Sequence, residues 1–125
     1  CTDLGVVTRG VLEGVRGAGL LVGEFNYDLE MLRSGPYPAR LKERILGRQG
    51  HLSNETGGKL AAWAVQQGTG RVVLAHLSKE NNAPGTALTA AERAMSAIQA
   101  RVGKDVELTV APREENSGWM EAPGC

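Results

Sequence analysis

Four side chains offer chemistry: Asp3, Glu24, His51 and His76. Carboxylates and imidazoles are the groups that hold a divalent cation through oxygen and nitrogen, or move a proton near neutral pH. Each of the four stands in a glycine-punctuated loop or at the end of an apolar run, where packing has no need of a polar tip. Each also has a purely structural explanation. Asp3 can cap a turn, Glu24 can be a solvated strand end, and a histidine after an apolar strand can be a hydrogen-bonded core residue. The chemical reading therefore requires all four to converge in space.

The elements that must position them can be read from the apolar pattern. Thr8 can cap a short helix carrying Val11, Leu12 and Val15. Leu20-Leu21-Val22 reads as a buried strand that delivers Glu24, Asn26 and Asp28 at its C-terminal end. A helical turn from Asp28 to Leu32 is broken by Ser34-Gly35-Pro36-Tyr37-Pro38. Pro38 then opens a second helix with Leu41, Ile45 and Leu46 as its apolar side, ended by Gly47 or Gly50. Ser53 or Asn54 caps a third helix running through Leu60, Trp63 and Ala64 to about Gln67, with Trp63 in the core. Gly57-Gly58 in its first turns costs about 1 kcal/mol per glycine, so something must approach there closely. Arg71-Val72-Val73-Leu74-Ala75 is the clearest strand, with His76 at its end. Thr89 and Glu92 have capping-box spacing for a fourth helix bearing Ala91, Met95, Ile98 and Val102, stopped by Gly103. Asp105 to Val110 alternates as a last strand. This α/β rhythm predicts one domain over 1–111 and a polar, frayed tail over 112–125.

Composition removes several classes of function. Fourteen basic and fourteen acidic residues balance to zero, which excludes a polybasic protein that holds nucleic acid by global charge. No apolar run approaches the roughly 18 residues of a membrane span, and the Gly-rich opening is no signal peptide, so a cytoplasmic protein without membrane contact is expected. The two cysteines, Cys1 and Cys125, offer neither a disulfide framework nor a CxxC zinc site. None of the glycine strings is a dinucleotide fingerprint or a Walker loop. Ser53 lacks the surroundings of a nucleophile. Asn26, Ser78, Asn81 and Asn82 are expected to tie loops by side-chain to backbone hydrogen bonds.

Charge is nevertheless uneven. Residues 33–48 carry a net +4, from Arg33, Arg40, Lys42, Arg44 and Arg48 against Glu43, whereas residues 1–32 carry a net −3. An acidic centre beside a basic helix suits a metal-dependent nuclease, with Arg40, Lys42, Arg44 and Arg48 as the phosphate track. A solvated amphipathic helix with no specific role would look the same. Tyr37 can stack on a base or pack under Pro36 and Pro38.

Five strings occur in fixed order: Thr2-Asp3-Leu4-Gly5; Glu24-Phe25-Asn26-Tyr27-Asp28 with Met31-Leu32; Gly35, Tyr37-Pro38, Leu41-Lys42 and Arg44-Ile45; Gly50-His51-Leu52-Ser53-Asn54; and Leu74-Ala75-His76-Leu77-Ser78 with Glu80-Asn81-Asn82. Together they resemble the C-terminal half of WalJ-type (YycJ-like) metallo-β-lactamase-fold hydrolases, which are DNA exonucleases. The resemblance runs from Cys1 to about Val110. It implies half of an αββα sandwich, a mixed sheet with flanking helices. It also implies roles: Asp3 as the metal-bridging aspartate, His76 as the last metal-binding histidine, His51 as the histidine beside the scissile phosphate, and Glu24 as the carboxylate that orients it. Phosphodiester hydrolysis uses such groups: a carboxylate and imidazole to hold cations, and an acid for the leaving oxygen.

One departure is large. The family's first metal motif, HxHxDH, is missing, since His51 and His76 are the only histidines. The resemblance then implies a partial enzyme. The intact parent would use a dinuclear zinc or manganese site on nucleic acid, most directly DNA, while this chain alone would be inactive, would hold no stoichiometric metal and could self-associate through an exposed apolar edge. Two alternatives stay open: a hydrolase of the same fold acting on RNA or a small cyclic phosphate, and a non-catalytic half-domain that binds nucleic acid or protein.

Overall fold

Three strands, Leu20–Glu24 (β1), Arg71–Ala75 (β2) and Glu107–Val110 (β3), form one sheet in the order β1-β2-β3. The computed structural model describes residues 19–47 and 50–111. Asp3, the helix expected after Thr8, Arg48 and the tail from Pro112 lie outside the described residues.

Both strand pairs are parallel, with Leu21 beside Val72, Glu24 beside Ala75 and Val72 beside Leu108. The α/β class expected from the sequence is observed. Among the described residues, however, the sheet is all-parallel rather than mixed. Parallel neighbours need crossovers, and four helices supply them: Leu29–Ser34 (α1), Ala39–Leu46 (α2), Asn54–Gln66 (α3) and Pro84–Ala97 (α4).

Register and alternation put Leu21, Gly23, Val72, Leu74, Leu108 and Val110 on one sheet face. Leu60, Ala61 and Ala64 of α3 and Ala87, Ala91 and Met95 of α4 complete the core on that side. Small residues let α3 and α4 pack closely against each other. Trp63, expected in the core, is partly buried at its margin.

The helix ends follow local chemistry. Asp28 caps α1 by accepting from Met31 N at 3.0 Å, and Ser53 caps α3 by accepting from Thr56 N at 3.1 Å. Gly47 closes α2. The fourth helix departs from expectation. It starts at Pro84 with Ala83 as N-cap, so the Thr89–Glu92 pair sits inside it and caps nothing. Proline at the first turn needs no amide hydrogen and presets φ, while the Thr89 hydroxyl donates to Gly85 O, one turn back. This helix ends at Ala97, before Gly103, and Gln99 turns the chain with φ 59°. Val102 is consequently exposed, bridged only to Val106, and the last strand begins at Glu107.

Candidate functional site

Parallel strands end side by side, and here β1 ends on Glu24 and β2 on Ala75, which are register partners. Alternation turns the Glu24 side chain to the sheet face opposite Leu21 and Gly23. It is fully buried, and it accepts twice on one oxygen: from His51 Nδ1 at 2.8 Å and from Leu52 N at 3.3 Å. Its other oxygen lies 3.6 Å from His76 Nδ1. One carboxylate thus faces two imidazoles through its two oxygens. The histidine rings meet edge to face, with centroids 5.2 Å apart. Both are partly open to solvent, at 31% and 45% side-chain exposure, against zero for Glu24. An ionised carboxylate out of water is costly unless donors surround it, which this arrangement provides.

His76 adopts φ 60°, a left-handed conformation that is uncommon for residues other than glycine. Asn26 Nδ2 donates to the His76 carbonyl at 2.8 Å, Asn26 N donates to Leu52 O at 3.1 Å, and Ser78 N donates to Asn26 O at 2.8 Å. Asn26 therefore joins the three loops that carry Glu24, His51 and His76. A second clamp lies beneath. Asn54 and Asn82 exchange side-chain hydrogen bonds at 2.9 and 2.8 Å, and Asn82 Nδ2 also donates to Phe25 O at 2.8 Å. Asn54 N donates to Tyr27 O at 2.8 Å.

The glycine turn of α3 fits against this clamp. A Cβ on Gly57 would stand 2.4 Å from the Glu24 carbonyl oxygen and 3.3 Å from the Phe25 ring. The close approach expected from Gly57-Gly58 is thus made by the end of β1 itself.

A cavity of about 620 Å³ opens over the histidines. Its lining mixes the polar residues Asn26, His51, His76, Ser78 and Arg44 with the apolar Leu41, Ile45 and Leu77 and the Tyr37 ring. Of the basic residues singled out in the sequence, Arg44 lines this cavity, whereas Lys42 Nζ donates to Arg33 O at 2.8 Å and so holds the end of α1. Arg40 is exposed on α2. Burial, and secondarily the Glu24 carboxylate, raises the Tyr27 phenol above its ordinary value of 10.0.

Three of the four expected site residues therefore converge. The sequence reading missed Asn54 as the partner of Asn82, and it misassigned Asn81. The Asn81 side-chain oxygen is buried without a hydrogen-bond partner, while its backbone does the tying, to Ser78 Oγ and Asp28 N. The Asn-rich string after His76 was the available signal for the clamp.

Glu24, His51 and His76 each offer a ligand atom, all within 4.8 Å of one another. An imidazole nitrogen is a donor that zinc or manganese accepts, so His76 fits a divalent cation as a ligand, while Glu24 and His51 engage each other at 2.8 Å.

No family model matches the chain. The resemblance to WalJ-type (YycJ-like) proteins is borne out over 81 residues by individual relatives. Over 81 residues, 65% of its length, the chain is 46% identical to exodeoxyribonuclease WalJ of Streptococcus pneumoniae serotype 2 (strain D39 / NCTC 7466), and equally to WalJ of strain ATCC BAA-255 / R6. It is 42% identical over 81 residues to exodeoxyribonuclease YycJ of Bacillus anthracis. The matched region spans 30–31% of the length of these curated relatives. Among the described residues, no helix is long and apolar enough to cross a membrane.

Proposed function

We propose that this chain supplies the carboxylate–imidazole wall of a divalent-metal phosphodiesterase that releases nucleotides from DNA ends. The observation that carries the reading is the Glu24 carboxylate, buried and facing both His51 and His76 beneath an open cavity. The names of the relatives, exodeoxyribonucleases, support the substrate class.

In this reading Glu24 accepts the Nδ1 proton of His51 and fixes that tautomer, which leaves Nε2 to carry the proton for the leaving oxygen. His76, with Asp3, takes the role of metal ligand, its backbone held by the Asn26 Nδ2 bond to the His76 carbonyl. A zinc or manganese ion bound there would neutralise phosphate charge and activate the attacking water. Arg44, with Arg40 and Arg48, draws the phosphodiester backbone toward the site.

The test uses the full-length protein that carries this sequence, assayed on DNA, RNA and cyclic phosphodiesters with added zinc or manganese. Nucleotide release from DNA is expected to dominate. His51→Gln, which keeps a donor for Glu24, should lower turnover by about 100-fold or more while metal content stays unchanged. His76→Ala should lower the metal content. Preference for RNA or a cyclic substrate would overturn the substrate assignment, and loss of metal in His51→Gln would overturn the division of roles. DNA binding that survives Asp3→Ala with His76→Ala, with no hydrolysis by the parent, would mark a non-catalytic module.

A further inference from the structure

His51 reaches Glu24 because residues 51–54 run beside residues 24–27 in one particular register. Tyr27 and Ser53 form a parallel bridge, with Asn26 N donating to Leu52 O at 3.1 Å and Asn54 N donating to Tyr27 O at 2.8 Å. A pairing this short specifies its register weakly, and a slip by one residue would set Gly50 or Leu52 in the place of His51. Asn82 reaches across both sides of the pairing. Its Nδ2 donates to Phe25 O at 2.8 Å on the strand side and to Asn54 Oδ1 at 2.8 Å on the loop side. Its Oδ1 accepts from Asn54 Nδ2 at 2.9 Å and from Ala83 N at 2.9 Å. Both asparagines are buried, at 3% exposure each, and neither lines the cavity over the histidines.

The geometry points to Asn82, through Asn54, as the positioning residue that pins this register and so holds the His51 imidazole on the Glu24 carboxylate. The inference rests on the phosphodiesterase reading for the task of His51 and adds what keeps that imidazole in place. Its physical basis is the cost of an unmade bond. An exchanged amide pair needs each oxygen opposite the other's nitrogen, and the observed register provides that match. After a slip, buried donors and acceptors would stand without partners. A buried asparagine sets the register of paired helices in the same way. Apolar side chains at 54 and 82 would tolerate several registers, because apolar burial has no direction. The pair therefore acts on His51 and does not touch substrate.

Nuclear magnetic resonance of the full-length protein, with isotope-labelled histidine, tests the pin without relying on catalysis. A proton held between His51 Nδ1 and Glu24 in a charge-assisted hydrogen bond gives a low-field signal of its own, identified by its loss in His51→Gln. The wild type should show it. Asn82→Ala should lose it while the other signals of the fold persist, and so should Asn54→Ala, which leaves the Asn82 bond to Phe25 in place. Met95→Ala, which truncates a fully buried side chain of α4 and destabilises the core, should keep it. Hydrolysis is the second readout. Each asparagine variant should lower kcat by about tenfold with KM and metal content unchanged, and Asn82→Ala added to His51→Gln should lower it no further. A His51 signal that survives both asparagine variants would overturn the pin. So would its absence from the wild type, its equal loss in Met95→Ala, or a kcat loss that adds in the double variant. Asparagine variants that fail to fold would mark the pair as purely structural and overturn it as well. A full-length protein whose His51 signal behaves as expected but which hydrolyses no phosphodiester would keep the pin and remove the phosphodiesterase reading.

Discussion

The two ends of the sheet handle charge in opposite ways. At the C-terminal end of the strands, Glu24 is fully buried and surrounded by His51, His76 and the Leu52 amide, with Asn26, Asn54 and Asn82 buried nearby. At the N-terminal end, Arg71 pairs with Glu107 at 3.4 Å and Arg101 with Asp105 at 3.2 Å, all on solvated side chains. Exposed pairs of this kind contribute about 0–1 kcal/mol, whereas a buried charge that loses its partner costs about 3–5 kcal/mol. The difference is one of environment: the C-terminal end holds its charge out of water among polar partners, and the N-terminal end leaves its charges in water.

Several substitutions would break or sharpen that contrast. The largest effect is expected at Gly57→Ala, because the new methyl meets the Glu24 backbone oxygen, which cannot swing aside. A loss of about 3 kcal/mol in chemical denaturation is expected. Gly85→Ala is the control: nothing lies within 4 Å of its Cβ, and the helix should gain a few tenths of a kcal/mol up to about 1. Next comes Asn82→Ala, which strands the Asn54 amide and the Phe25 carbonyl without their partner. About 2 kcal/mol should be lost in the same measurement.

Smaller effects are expected from two titrations at the opposite ends of the sheet. The Tyr27 phenol is raised in the folded chain, so its contribution is whole below about pH 10 and is lost as pH climbs through the raised value. Thermal melts should therefore fall with alkali, and less steeply in Tyr27→Phe. Asp105 behaves oppositely. The Arg101 backbone amide, and next its guanidinium, hold that carboxyl below its ordinary 3.8, so its contribution is present above that value and is lost as pH falls through the depressed one. Since Asp105 is exposed, Asp105→Asn should change the acid limb of the melting profile least of all. The least effect on neutral-pH stability is expected from Glu107→Ala, within about 0.5 kcal/mol, because both partners of its ion pair are already in water.

Much of the fold was legible wherever the signal is local. Leu20-Leu21-Val22 and Arg71 to Ala75 announce strands by their apolar runs, Asp28 and Ser53 cap helices as their side chains allow, and Gly47 ends α2. The Thr89–Glu92 spacing misled because a capping box is defined by two residues only, and threonine is equally able to bond one turn back inside an alanine-rich helix. Pro84 was the stronger start signal. The apolar side of α2 was also legible, but its destination was not. Periodicity says which side of a helix avoids water and is silent on whether a core or a cavity receives it.

The candidate site shows the same boundary. The residue types, their places at strand ends, and the five strings on which the resemblance rests are properties of the chain read in order, because strand and helix limits depend on neighbours a few residues away. That one carboxylate serves His51 and His76 together, that Asn54 finds Asn82, and that Gly57 clears the way for the end of β1 were decided only when β1 and β2 paired in parallel register. Hydrogen bonding acts over about 3 Å. Residues tens of positions apart are brought within that reach by the burial of the whole sheet and its helices, which no local stretch of sequence encodes.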